Sequence, residues 1–254
     1  MTQTVNYENG DKYVGQIQNG RRHGRGVYTY AGGSVYDGQW RNGKKHGQGK
    51  YTFPSGAVYD GGWLADEKHG LGKYTFPSGN VYEGTWENGK QHGMGSYTYT
   101  NGDRYVGDWV NGKKHGKGAY AYANKNVYEG DWADGKKHGM GVFHYVFGDR
   151  YEGQWRDDKQ HGKGALYFSS GARYEGEWQN DRMHGDGKYI LANGEIYIGA
   201  FQNGQKHGKG RYYYPNDDRY EGTWVGDKMH GKGTFYHSSG TKETRDYSNG
   251  VRVG

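Results

Sequence analysis

The sequence contains no cysteine and only three prolines in 254 residues. The first absence excludes disulfides and cysteine-ligated zinc. Aliphatic residues are scarce and only 31% of the chain is hydrophobic, so no run approaches a membrane span and no thick aliphatic core can form. The opening MTQTVNYENGDKY lacks the basic-then-apolar layout of a secretory signal. Thr2 stands where N-myristoylation requires glycine, and no Asn-x-Ser/Thr sequon occurs. Together these absences lead to the expectation of a soluble, cytoplasmic protein.

Glycine, at 50 residues, and the aromatics, with 27 Tyr and 8 Trp, are abundant instead. Low hydrophobicity with much glycine points toward disorder. So many Tyr and Trp point the other way, because they carry large buriable area. The chain is therefore expected to fold around aromatics. A net charge of +6 permits acidic partners without naming one.

One period organises the chain. Tyr-x-Gly begins at Tyr13, Tyr36, Tyr59, Tyr82, Tyr105, Tyr128, Tyr151, Tyr174, Tyr197 and Tyr220, a constant step of 23 residues. All eight Trp fall four residues after one of these tyrosines, with Ile17 and Phe201 in that slot in the other two repeats. Ten of the twelve His share one phase, each followed by Gly-x-Gly. This spacing predicts one array over residues 1–254: a partial strand at 1–12, ten repeats at 13–242, and a degenerate strand at 243–254.

Within VYDGQW, Tyr36, Gly38 and Trp40 share one strand face, and in GQGKYTF the same parity collects Gly49, Tyr51 and Phe53. Each repeat thus reads as a β-hairpin with an aromatic-and-glycine face and a polar face. Between repeats lie short turn signals, among them Asn101-Gly102, which suits a type I′ turn. Inside a repeat NGKKHG reads as a longer loop. The predicted fold is all-β: a single-layer antiparallel sheet of tandem hairpins, elongated over about 95 Å and curled into a trough by the bare glycine positions.

These units, YDGQWRNGKKHGQGKYTFPSG and its companions, resemble the MORN repeat (membrane occupation and recognition nexus) over nearly the whole chain. Departures are Ile17 and Phe201 for Trp, Asp66, Asp158, Asp181 and Asp227 for the loop glycine, and Lys125 and Asp217 for the turn glycine. These departures suggest locally different turns. The resemblance implies a repeat solenoid. Arrays of this family with little else attached resemble scaffolds in parasite cytoskeletons and ciliary radial spokes, or an adaptor for a myosin tail. By that analogy the chain is expected to be a non-enzymatic scaffold in a cytoskeletal or ciliary, axonemal assembly.

Candidate chemistry has to be weighed against the repetition. Equivalent His residues stand about 10 Å apart in successive hairpins, too far to share one metal ion; each is expected to close its loop through a ring-nitrogen hydrogen bond. Asn111–Tyr120 (NGKKHGKGAY) lacks the spacing and hydroxyl of a phosphate loop. Asp37, Asp60, Glu83, Glu129, Glu152, Glu175 and Glu221 form an outer row with no burial to raise a pKa. No catalytic, cofactor or metal residues are assigned.

Two surfaces remain. The aromatic face is expected to expose ring area to a protein partner along Tyr36, Trp40, Tyr51, Phe53, Tyr59, Trp63, Tyr82, Trp86, Tyr105, Trp109, Tyr128 and Trp132. The two positions before each repeat His hold fourteen of the 34 Lys and Arg. That stripe, represented by Arg21, Arg22, Lys44, Lys45, Lys113, Lys114, Lys136 and Lys137, is the alternative, a grip on anionic phospholipid such as a phosphoinositide membrane. Nucleic acid is disfavoured, and a homodimer through a terminal strand edge is conceivable because TQTVNY carries no charge.

Overall fold

The alternation of aromatic and polar residues produces strands throughout. The computed structural model describes residues 1–253 and contains 23 strands and no helix among them. Strands pair antiparallel with their sequence neighbours in one layer. Two compact units are distinguished: Met1–Ala123 with Trp132–Gly135, and Asn124–Asp131 with Lys136–Gly254. In each unit a repeat is a seven-residue strand followed by a nine-residue strand, as in Val35–Arg41 and Lys44–Thr52 or in Arg173–Gln179 and Arg182–Ile190.

The turns differ from expectation. Inside a repeat the link is two residues, Asn42-Gly43, with φ of 52° and 83°. A turn with both residues left-handed has the twist that matches a hairpin, so Lys44, Lys45 and His46 belong to the strand and not to a loop. The type I′ assignment at Asn101-Gly102 is corrected: only Gly102 is left-handed, at 94°. That connection instead closes with Gly102 N–H donating to Tyr99 O (3.1 Å) and Tyr99 N–H donating to Asp103 O (2.9 Å).

The substituted turns are also unchanged in shape. Ala65 and Asp66 keep φ of 52° and 80°, and Lys125 and Asp217 stay left-handed at 70° and 64°. Strain at a non-glycine residue there is countered at Asp66 by its carboxylate, which accepts the Lys45 N–H at 2.8 Å. Asp158, Asp181 and Asp227 make the equivalent bond to Lys137, Gln160 and Lys206.

A bulge recurs in the hairpins within repeats, in the first unit and in the second. Gly38 pairs with Gly49, yet Trp40 pairs with Lys45, so His46, Gly47 and Gln48 oppose Gln39 alone. Left-handed Gly47 (φ 59°) makes the bend, and Gln39 Oε1 accepts the Gln48 N–H at 2.9 Å. The side chain of Gln39, not the histidine ring, closes this segment. Correspondingly, the Nδ1 atoms of His23, His161 and His184 are buried without a hydrogen-bond partner, contrary to the expected role of every repeat histidine.

The core is a tiling of rings on a glycine floor. A Cβ built on Gly49 would lie 2.3 Å from Tyr36 Oη and 2.5 Å from its ring carbons, so the Tyr36 ring occupies the space above that backbone. Its hydroxyl donates to Gln39 O at 2.9 Å. Trp40 and Trp63 close over it edge-on, with centroids 5.0 and 5.3 Å away. Trp63 Nε1–H in turn donates to Gly49 O at 2.8 Å. By this device a single layer hides the first tyrosine of every repeat completely, each at 0% exposure.

Candidate functional site

Ring burial decides which of the expected groove residues are reachable. Tyr36, Tyr59, Tyr82, Tyr105 and Tyr128 are fully buried, and Trp40, Trp63, Trp86, Trp109 and Trp132 are 3–6% exposed. Tyr51 and Phe53 retain partial exposure. The accessible aromatic surface therefore belongs to a second row, contributed by the nine-residue strands and the turns that follow them.

In the first unit this second row is unbroken. Tyr30 contacts Tyr51 (5.8 Å between centroids), Tyr51 contacts Phe53 (4.5 Å), and Phe53 contacts Tyr74 (5.9 Å). The sequence of contacts continues through Phe76 and Tyr97 to Tyr99 at 4.6, 5.5 and 4.4 Å. Repetition produces the row: each hairpin adds one ring from its strand and one from its turn. In the second unit Leu166 and Leu191 stand at the corresponding strand and turn positions of two repeats, and the run of rings is interrupted.

The basic pairs divide between two environments. Arg21, Lys44, Lys113 and Lys136 are exposed. Lys113 and Lys136 ion-pair with Asp134 and Asp157 at 3.1 and 3.4 Å, surface pairs of little energetic weight. Their neighbours turn onto the rings. Arg22 lies 4.3 Å from the Trp40 centroid, Lys45 4.4 Å from Trp63, Lys114 4.4 Å from Trp132 and Lys137 4.5 Å from Trp155. The bulge places them there, because it sets Lys45 opposite Trp40. Half of the expected basic stripe is thus a row of cations along the aromatic ladder.

Lys68 completes that row. Its ammonium lies 4.5 Å from Tyr74 and 4.4 Å from Trp86. Burial, reinforced by the neighbouring Lys45 charge, pushes its amine down to about 8. Lys45 and Lys137 are also lowered by burial, with Asp66 and Asp158 opposing the shift. Ring faces return part of the lost hydration as cation–π attraction.

The opposite face carries a charge ladder. Asp37 pairs across strands with Lys50, Lys50 with Asp60, Asp60 with Lys73, and Lys73 with Glu83. A shallow recess of 690 Å³ lies on this face of the first unit, lined in part by Leu71, Met94 and Val106. These side chains are 74%, 59% and 37% exposed. The sequence reading passed over them, although Leu71 and Met94 break the polar run at the middle position of His-Gly-x-Gly. No group of three or more residues able to hold a metal ion is found among the described residues, and no helix there is long and apolar enough to cross a membrane.

Tandem hairpins with buried Tyr and Trp on a glycine floor define a single-layer β-repeat protein. The family model described as the MORN repeat matches ten consecutive segments, residues 13–35, 36–58, 59–81, 82–104, 105–127, 128–150, 151–173, 174–196, 197–219 and 220–242. The chain belongs to the MORN repeat family. No curated protein matches it. Among solved structures, the wild-type TCP10 domain of Danio rerio CPAP in complex with a peptide of Danio rerio STIL aligns over 97% of this chain and 100% of its own, at 10% identity and TM-score 0.47. The same domain without the peptide aligns over 87% and 99%, at 10% identity and TM-score 0.44. Likeness at this level carries no functional argument.

Proposed function

We propose that the protein is a non-enzymatic scaffold that binds protein partners along the aromatic face. The observation that carries this reading is the continuous second row of partly exposed rings from Tyr30 to Tyr99, edged by Arg22, Lys45 and Lys68. Exposed rings fixed by a rigid floor lose little entropy on binding, which is why aromatics and arginine dominate binding hot spots. The proposed setting, a cytoskeletal or ciliary assembly, rests on the resemblance to scaffold-type members of the family.

Two sets of substitutions separate this reading from lipid binding. Phe53→Ser with Phe76→Ser alters the ring row, while Lys44→Glu, Lys113→Glu and Lys136→Glu reverse exposed charges away from it. Cross-linking mass spectrometry in cells is expected to lose its partner contacts in the ring variant and keep them in the charge variant. Co-sedimentation of wild type with anionic vesicles, abolished by the charge variant and unaffected by the ring variant, with no ring-dependent partner, would replace the scaffold reading with a membrane one.

A further inference from the structure

The first unit's ladder has a period as well as a chemistry. One repeat contributes two strands, about 9.6 Å of sheet at a 4.8 Å spacing. Three successive repeats set a ring pair, such as the partly exposed Tyr51 and Phe53, beside one cation, such as Lys45 at 4.7 Å from Tyr51, and in the next repeat Gln91 takes the cation's place. Arg22 and Lys68 take the same places at Tyr28 and Tyr74, at 4.6 and 4.5 Å. Among the described residues Lys68 makes no ion pair, and its ammonium lies over the rings of Tyr74 and Trp86. A ligand fitting this surface must present an apolar edge and a negative charge about every 9.6 Å.

A polyproline II helix has that repeat. Three residues rising about 3.1 Å each advance roughly 9.3 Å per turn, and its side chains fall in three rows. Proline rings pack on exposed aromatic faces, and the preformed helix loses little conformational entropy on docking. An α-helix advances about 5.4 Å per turn and falls out of step within one repeat. Single-stranded nucleic acid also stacks on aromatics beside basic charge. Here, however, consecutive rings stand 4.4–5.9 Å apart and tilted, which leaves no slot for a base between them.

We propose that the ring ladder between Tyr30 and Tyr99 binds an extended proline-rich segment in the polyproline II conformation, lying across the strands, with an acidic side chain at every third residue against Arg22, Lys45 and Lys68. This rests on the reading of the aromatic face as a partner surface. It names the partner's chemistry and confines it to the run of three successive cations, Arg22, Lys45 and Lys68, which ends where Gln91 takes the next place, although ring contacts continue to Tyr120 and Tyr122.

The test uses the full chain and synthetic peptides of about twelve residues built from Pro-Pro-Glu, Pro-Pro-Lys or Gly-Gly-Glu. Titration calorimetry is expected to show the Pro-Pro-Glu peptide binding at least tenfold more tightly than either control. Hydrogen exchange on wild type should show its protection confined to residues 21–99. Lys68→Gln installs the residue that the next repeat carries naturally at Gln91, so folding is preserved, and it should weaken binding about tenfold. Equal affinity for the three peptides, protection outside residues 21–99, or tighter binding of an oligothymidylate probe overturns the proposal. If the peptide fails while ring-dependent partner contacts persist in cells, this proposal falls and the scaffold reading stands. If both fail, both fall.

Discussion

Gly49→Ala sets two effects of opposite sign against each other. Gly49 lies in the strand Lys44–Thr52, and its φ is outside the left-handed region. By chain entropy alone, alanine there would stabilise the protein by about 0.4–1 kcal/mol through the unfolded state. The packing predicts the reverse. The new methyl would stand 2.3–2.5 Å from the hydroxyl and ring of Tyr36, which is fully buried and pinned between Trp40 and Trp63. Displacing it costs about 1–3 kcal/mol as overpacking, and losing its hydroxyl bond to Gln39 O adds about 1 kcal/mol.

The net expectation is a local destabilisation of about 2 kcal/mol, close to thirtyfold in the opening equilibrium. A repeat array need not unfold in one step, so the assay is native-state hydrogen exchange resolved by segment. The loss should centre on Val35–Leu64 and fade in distant repeats. Gly32→Ala is the control: nothing lies within 4 Å of its built Cβ and its φ is not left-handed, so stability should be unchanged or slightly raised. In a Tyr36→Leu background the cost of Gly49→Ala should shrink by about 1 kcal/mol or more. Protection at or above wild type in Gly49→Ala would refute the claim that the tyrosine ring occupies the glycine's side-chain space.

Further outcomes follow from the same packing. Trp63→Phe removes the indole bond to Gly49 O and shrinks a buried ring. It should cost about 2–3 kcal/mol of local protection, and unchanged exchange across Lys44–Leu64 would count against that bond. Burial raises the phenol pKa of Tyr36, Tyr59, Tyr82, Tyr105, Tyr151, Tyr174 and Tyr197. Above pH ~10 the unfolded chain therefore holds fewer protons than the folded one. Stability is full below that pH and falls as pH rises through the folded-state values, by up to about 1.4 kcal/mol per pH unit for each tyrosine. Alkaline titration should show tyrosinate absorbance rising together with loss of the aromatic circular dichroism signal. A smooth titration near pH 10 with the sheet intact would show that these hydroxyls are not shielded.

The strand pattern was legible because it is local. Parity along VYDGQW puts Tyr36, Gly38 and Trp40 on one face regardless of what lies beside them, and the fixed step of 23 residues carries that arrangement through every repeat. The turn chemistry was half legible. Asn42-Gly43 and Asn101-Gly102 are the same dipeptide, yet only the first has both residues left-handed. The first is the whole link between Arg41 and Lys44, whereas the second sits inside a longer connection between Thr98 and Arg104, and the dipeptide does not record that difference.

The sequence by itself determined the family, the all-β class, the hairpin repeat and its phase, since each follows from residue type and spacing along the chain. Only the tertiary structure decided which rings are reachable and where the basic residues go. Tyr36 disappears because two tryptophans from different strands close over it, and Tyr51 and Phe53 stay partly open because nothing covers their outer edge to the same degree. Lys44 and Lys45 are adjacent and identical in sequence, yet one faces solvent and the other lies on Trp63. Alternation separates the two side chains, but the bulge at Gly47 and the indole of the next repeat decide what each one meets, and both are set by contacts across strands.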